Sequence, residues 1–129
     1  TDEIETDFIS VLPEYTLGIL VRVIAKSHRN LHPVVDKDGK MMGLIDLQDI
    51  REIMFDRDRY DSVLVKDLMV IPDNMIVQSD KMDSVMSKFE SSGAWNLPVI
   101  DSKGKYIGFV SRSRLFNAYR RWLKETSTG

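Results

Sequence analysis

The chain has 129 residues, room for one compact domain or for two small repeats sharing a core. Its 43% hydrophobic and 29% charged content is that of a folded protein and excludes a disordered one. With 18 Lys+Arg against 20 Asp+Glu the net charge is −2, which leaves no concentrated basic footprint for nucleic acid, and the absence of cysteine excludes a disulfide framework or a thiolate metal site.

The acidic opening Thr1-Asp2-Glu3-Ile4-Glu5 looks like the cut edge of a longer protein and carries no signal-peptide pattern. Phe8–Leu12 follows as a possible strand. Leu17, Leu20, Val21 and Ile24 recur at helical spacing and predict an amphipathic helix; Gly18 and Arg22 interrupt this apolar stretch, which is too short to span a bilayer. Pro33-Val-Val-Asp36, a turn at Asp38-Gly39 and the run Met41–Ile45 predict a β-hairpin. Leu47, Ile50, Ile53 and Met54 predict a closing helix. Asp56-Arg-Asp-Arg-Tyr-Asp61 is too charged and aperiodic for a core and predicts a linker, set at 56–66. The order then recurs: a possible strand at Met75–Val77, a helix through Met82, Val85, Met86 and Phe89 with Ser79-Asp80 as its N-cap signal and Gly93 as its stop, a hairpin over Pro98–Val110, and a helix carrying Leu115, Phe116, Tyr119, Trp122 and Leu123.

Sliding the chain on itself by 65 positions places 32–43 on 97–108 with six of twelve pairs identical: Pro33/Pro98, Val34/Val99, Asp36/Asp101, Gly39/Gly104, Lys40/Lys105 and Gly43/Gly108. The same register pairs Leu17 with Met82, Leu20 with Val85, Val21 with Met86, Ile24 with Phe89 and Ile50 with Leu115. A duplicated β-α-β-β-α unit accounts for this. The fold class is α/β (α+β), with repeat 1 at 1–55, the linker at 56–66, repeat 2 at 67–124 and a C-terminal tail at 125–129.

Two such units, each with an apolar-Pro-apolar-apolar-Asp run followed by Gly-Lys and an apolar-Gly-apolar-apolar run, resemble a tandem CBS pair, or Bateman module. Val65-Lys-Asp-Leu-Met69 is similar to the usual start of a CBS repeat. Within that family Ser27–Asp36, Asp49–Phe55 and Ala118–Leu123 most resemble the C-terminal cytosolic module of CLC-type chloride channels and transporters. The resemblance implies two sheets packed with pseudo-twofold symmetry, two clefts that commonly take adenine nucleotides (ATP, ADP or AMP), and a homodimer. It also implies a non-catalytic module that modulates ion transport. That module would be a cytoplasmic domain beneath the membrane-embedded transport domain of the same parent chain, in the cell membrane. The alternatives are a CBS module of another transporter or enzyme, or a stand-alone nucleotide-sensing protein. No nucleic-acid partner and no catalytic constellation is implied.

The family's ligand motif, Gly-apolar-apolar-Ser/Thr-x-x-Asp, uses the aspartate for ribose hydroxyls, and the hydroxyl and helix N-terminus for phosphate. Repeat 1 reads Gly43-Leu-Ile-Asp46-Leu-Gln-Asp49, which keeps the ribose aspartate and replaces the hydroxyl. Repeat 2 reads Gly108-Phe-Val-Ser111-Arg-Ser-Arg114, which keeps the hydroxyl and replaces the aspartate. Asp46 fits a helix N-cap, and its charge would repel a nearby phosphate by about a few kcal/mol if partly desolvated. Arg114 is donor-only; it could clamp a phosphate or form a surface ion pair. The candidate ribose site is therefore the Asp49 cleft, with walls from Val11, Leu12, His32, Pro33, Leu97 and Pro98; the alternative is that Asp46 and Asp49 are helix-capping and solvated charges with no ligand.

Ile19 and Val23 lie one turn apart on the helix face away from Leu17 and Leu20, where repeat 2 has Ser84 and Lys88. They are the candidate dimer or partner surface, a thicker core in repeat 1 being the alternative. The last helix mixes aromatics with Arg112, Arg114, Arg120, Arg121 and Lys124, which reads as core packing with a solvated face, contact with a membrane or an acidic partner being the alternative. His28 and His32 have no third ligand nearby, and helical geometry should end before Pro33, so no metal site is expected. Asp36-Lys-Asp38-Gly39 resembles the opening of a calcium loop but lacks its later ligands.

Overall fold

The computed structural model describes residues 3–128, with side chains through Thr126. The chain divides into two units: one holds 73–103 and 107–129 together with 1–6, the other holds 7–72 together with 104–106. Each mixes strands and helices, as the duplicated pattern predicts.

In the unit carrying repeat 1, helix α1 (Leu17–Lys26) is followed by strands β2 (Leu31–Val35) and β3 (Met41–Asp46), an antiparallel pair with a bulge at Val34/Val35. Thr16 caps α1 by accepting from the Ile19 N–H at 3.3 Å. The Asp36 carboxylate closes the hairpin turn, accepting from the backbone N–H of Asp38 and Lys40 at 2.8 and 2.9 Å, and Gly39 supplies the positive φ of 85°. This carboxylate holds a turn, and no group of metal-ligating side chains occurs among the described residues. Val11, Leu17, Leu20, Val34, Ile45, Ile50 and Val65 form the core.

Two expectations for this unit need correction. Phe8–Leu12 is not a strand; only Val11 forms a bridge, parallel to Val34. The closing helix is replaced by 3₁₀ turns at Leu47–Ile50 and Ile53–Phe55, with a third at Arg57–Arg59. The apolar residues 47, 50 and 53 recur every three positions, the period of a 3₁₀ turn, and the charged run that follows offers no apolar stripe to extend an α-helix. The charged stretch 56–66 nonetheless brings Tyr60 and Val63 onto the core. The carbonyls of Tyr60 and Val63 accept from the first free N–H groups of α1, Gly18 and Leu17, at 3.0 and 2.8 Å. Both side chains lie against the core, and Val65 opens a short helix α2 (Val65–Leu68) with its side chain fully buried.

The unit carrying repeat 2 has strand β4 (Ile76–Val77), helix α3 (Met82–Ser92), strands β5 (Asn96–Ile100) and β6 (Tyr106–Ser111), and helix α4 (Arg112–Thr128). Its core is Ile76, Val85, Phe89, Leu97, Val99, Val110 and Leu115. Gly93 ends α3 with φ 65°, as expected. The N-cap of α3 is Lys81 rather than Ser79 or Asp80; the Asp80 carboxylate instead accepts from the Val77 N–H at 3.0 Å and the Lys88 ammonium at 2.6 Å. Helix α4 runs to Thr128, so the expected tail from 125 is helical as far as it is described, and Gly129 lies outside the described residues.

The sheet of this unit runs β1-β6-β5-β4, where β1 (Ile4–Glu5) comes from the far N-terminus. Glu5 pairs with Phe109, antiparallel. In the other unit Val70 pairs with Leu44, also antiparallel, and each residue stands 65 positions from its counterpart. The parallel pairs match as well: Val11 with Val34, Ile76 with Val99. Each repeat's hairpin is thus flanked by the residues that lead into the other repeat. This explains the paired glycines. A Cβ on Gly43 would stand 2.9 Å from the Val70 carbonyl oxygen, and one on Gly108 2.5 Å from that of Glu5. Only glycine lets the exchanged strand lie so close.

Candidate ligand-binding site

The last strand of each repeat delivers the motif to the start of the following helical segment. In repeat 1, Asp46 ends β3 in extended conformation and its carboxylate accepts from the Gln48 N–H at 3.0 Å. It is the N-cap that its position predicts. In repeat 2, the Ser111 hydroxyl accepts from the Arg114 N–H at 3.3 Å, at the head of α4. The hydroxyl position of the motif is therefore committed to capping in both repeats.

The ribose positions differ. Asp49 is exposed on the 3₁₀ turn and has no hydrogen-bond or ion-pair partner among the described residues. It lines a shallow depression with Gln48, Arg51 and Glu52. A neighbouring depression of about 380 Å³ is lined by Asn30, Asp46, Leu47, Gln48, Arg51, Met54 and Phe55. Two carboxylate oxygens facing water beside a guanidinium can accept from a diol and balance an anionic group at once. Arg114 faces Glu5 instead, Nε to Oε1 at 3.8 Å, which is the ion-pair reading of that residue.

Of the remaining candidate walls, Leu12 is half-buried, while Val11, His32 and Pro33 are buried in the repeat 1 unit. The His32 Nδ1 lies 3.0 Å from the Ile9 carbonyl, so Nδ1 carries the proton, and Nε2 has no partner. Leu97 and Pro98 are buried in β5 of the other unit. All of these side chains but Leu12 are buried. Ile19 is exposed, whereas Val23 packs against the core. The asymmetry has a local reason. Tyr15 and Val23 pack on the same core, and their counterparts 65 positions on, Asp80 and Lys88, form an ion pair.

One anchoring residue carried no sequence signal. Arg112 donates from Nη2 to the Phe89 carbonyl at 2.7 Å and from Nε to the Ala94 carbonyl at 3.0 Å, tying the head of α4 to the end of α3. Its guanidinium lies 5.7 Å from the ring centres of both Trp95 and Phe116.

Two α/β units that exchange the residues leading into their repeats, each with a capped turn or helix after its last strand, make up a tandem-repeat scaffold. The CBS domain model matches residues 2–56 and 65–121, and the chain belongs to that family as a tandem pair. It is 32% identical over 108 residues to an inosine-5'-monophosphate dehydrogenase of Bifidobacterium longum, a match over 82% of this chain and 19% of that protein. The chain spans about a fifth of the length of the curated relatives it matches. Among solved structures it is similar to CBSX2 of Arabidopsis thaliana in complex with AMP, with a TM-score of 0.73, 19% identity, and 93% of this chain and 94% of that one covered. It is also similar to the soluble part of a magnesium transporter, with a TM-score of 0.76, 18% identity, and 92% of this chain and 46% of that one covered. No described helix is long and apolar enough to cross a membrane.

Proposed function

We propose that this CBS pair is the cytoplasmic regulatory module of a CLC-type chloride channel or transporter, that it works as a homodimer, and that the Asp49 turn takes the ribose of ATP, ADP or AMP. The proposed repeats are 1–55 and 67–124, joined by 56–66. The observation that carries the ligand reading is the uncommitted Asp49 carboxylate beside Arg51. A ribose diol satisfies the first, and a phosphate brought near Arg51 offsets the repulsion from Asp46. Support for a transport parent comes from the sequence resemblance of Ser27–Asp36, Asp49–Phe55 and Ala118–Leu123, and from the likeness to the soluble part of a magnesium transporter. Support for an adenine nucleotide comes from the likeness to a CBS pair complexed with AMP.

A second reading has its own observation. The 32% identity to an inosine-5'-monophosphate dehydrogenase favours the same module set in an enzyme, where it would regulate chemistry done elsewhere in the chain. The two separate on the full-length parent reconstituted in vesicles. Chloride flux that responds to ATP, ADP or AMP, and loses the response in Asp49→Asn, supports the transport reading. A parent with no flux contradicts it.

A further inference from the structure

We propose that the outer face of α4 binds a multivalent phosphate anion, and that its occupancy competes with Glu5 for the Arg114 guanidinium. None of its residues belongs to the Asp49 turn. Arg114, Asn117, Arg121 and Lys124 recur at spacings of three and four and share one face of the helix. Two depressions run along this face. One of about 250 Å³ is lined by Glu3, Arg114, Asn117 and Arg121, and one of about 280 Å³ by Asn117, Arg120, Arg121 and Lys124. Asn117, Arg120 and Arg121 have no hydrogen-bond or ion-pair partner among the described residues, so an amide and two guanidiniums are held beside one another with their donors turned to water. Arg114 is committed only loosely, at 3.8 Å from Glu5.

The duplication shows that this charge is not inherited with the fold. The positions 65 residues before Arg114, Asn117 and Arg121 are Asp49, Glu52 and Asp56. The same three repeat positions carry three carboxylates in one repeat and two guanidiniums and an amide in the other. A ligand suited to the second is anionic. Guanidinium forks match phosphate oxygens two at a time, and residues seven apart stand about 10 Å apart along a helix axis, a span that suits linked phosphates better than one carboxylate. Glu3, on the rim of the first depression, opposes the anion and places it toward Arg121.

Binding there has a consequence for β1. Glu5 lies in that two-residue strand, which pairs with β6 through Ile4 to Val110 and Glu5 to Phe109. An anion that draws Arg114 away withdraws a guanidinium from Glu5 and loosens the exchanged strand. The same phosphate chemistry is offered by a free di- or triphosphate and by an inositol-phosphate lipid headgroup. For the headgroup, exposed Trp122 and Leu123 beside Arg121 and Lys124 would enter the interface.

The test is titration calorimetry with pyrophosphate at fixed ionic strength, alongside flotation with phosphatidylcholine vesicles with and without phosphatidylinositol bisphosphate. Binding of either probe is expected, weakened by about tenfold or more in Arg114→Gln/Arg121→Gln. Glu5→Gln, which removes the competitor, is expected to tighten binding, an effect opposite to any general loss of structure. Asp49→Asn leaves pyrophosphate binding unchanged, so this site and the Asp49 site fail independently. Pyrophosphate binding identifies a free phosphate as the ligand source, and vesicle binding alone identifies the headgroup. Binding of neither probe, or binding indifferent to the double substitution, overturns the proposal.

Discussion

Replacing Gly108 by alanine places a methyl group where the exchanged strand already lies. The new Cβ would stand 2.5 Å from the Glu5 carbonyl oxygen, 2.8 Å from the Ile4 Cγ2 and 3.2 Å from the Glu5 carbonyl carbon. Two of these three atoms are backbone, so no rotamer change relieves the clash; β1 itself must move by about an ångström to restore ordinary contact. With two residues in β1, moving it puts both of its ladder pairs at risk, along with the burial of Ile4 against the core. Overpacking of this kind costs about 2–3 kcal/mol. For a chain of this size that lowers Tm by roughly 6–12 °C. Gly43→Ala meets the Val70 carbonyl at 2.9 Å, but its other contacts are Met69 side-chain atoms that can swing aside, so its cost is lower, about 1–2 kcal/mol. Gly93→Ala meets nothing within 4 Å and carries only the strain of φ 65°, about 1 kcal/mol. Scanning calorimetry of the three variants should give Gly108→Ala the largest drop. A Gly108→Ala protein melting within about 2 °C of the parent would refute the close approach of the exchanged strand.

Asp80 carries a pH dependence. The Lys88 hydrogen bond, outweighing desolvation and helped by the Val77 N–H, holds its carboxyl below the ordinary 3.8. A carboxyl lowered on folding contributes fully above its unfolded pKa and loses that contribution as pH falls through the folded one. The Tm gap between the parent and Asp80→Asn should therefore be widest near neutrality and close below about pH 4, as followed by thermal melts across pH. His32→Leu should change stability by less than about 1 kcal/mol in urea titration, because the lost bond to Ile9 is offset by removing the unpartnered Nε2. Leu97 already fills the equivalent position in repeat 2; a loss of several kcal/mol would contradict that equivalence. Ile19→Glu should shift sedimentation from dimer to monomer if this exposed residue lies in the dimer contact, whereas Val23→Glu should instead lower Tm, because Val23 packs on the core. A dimer unchanged by Ile19→Glu removes that surface.

The duplication was legible because its register is carried by residues with backbone duties: glycines at the turns and at the exchanged strands, and Asp36 and Asp101, whose carboxylates accept turn N–H groups. The helices α1 and α3 and the hairpins followed from apolar periodicity and from Gly93. The exchange of leading strands was not legible, because two-residue pairings such as Ile4–Glu5 leave too few positions for a period to show. The failed helix after β3 reflects a pattern that fits periods of three and of 3.6 equally over so short a stretch. At the site, the Asp46 cap and the Glu5 partner of Arg114 follow from residue chemistry, the first from sequence alone and the second only once β1 is placed beside β6. Burial of His32 was hidden because a histidine gives no sign in sequence of which neighbour accepts its hydrogen bond.

A CBS pair with half a motif in each repeat is proposed to read an adenine nucleotide through Asp49. Titration calorimetry of the chain with ATP, ADP, AMP and adenosine, repeated on Asp49→Asn, tests it most directly. Saturable heat with a nucleotide is expected in the parent and its loss in Asp49→Asn, while both proteins keep the same Tm. No heat from any of the four at millimolar concentration, or heat that survives the substitution unchanged, would contradict it.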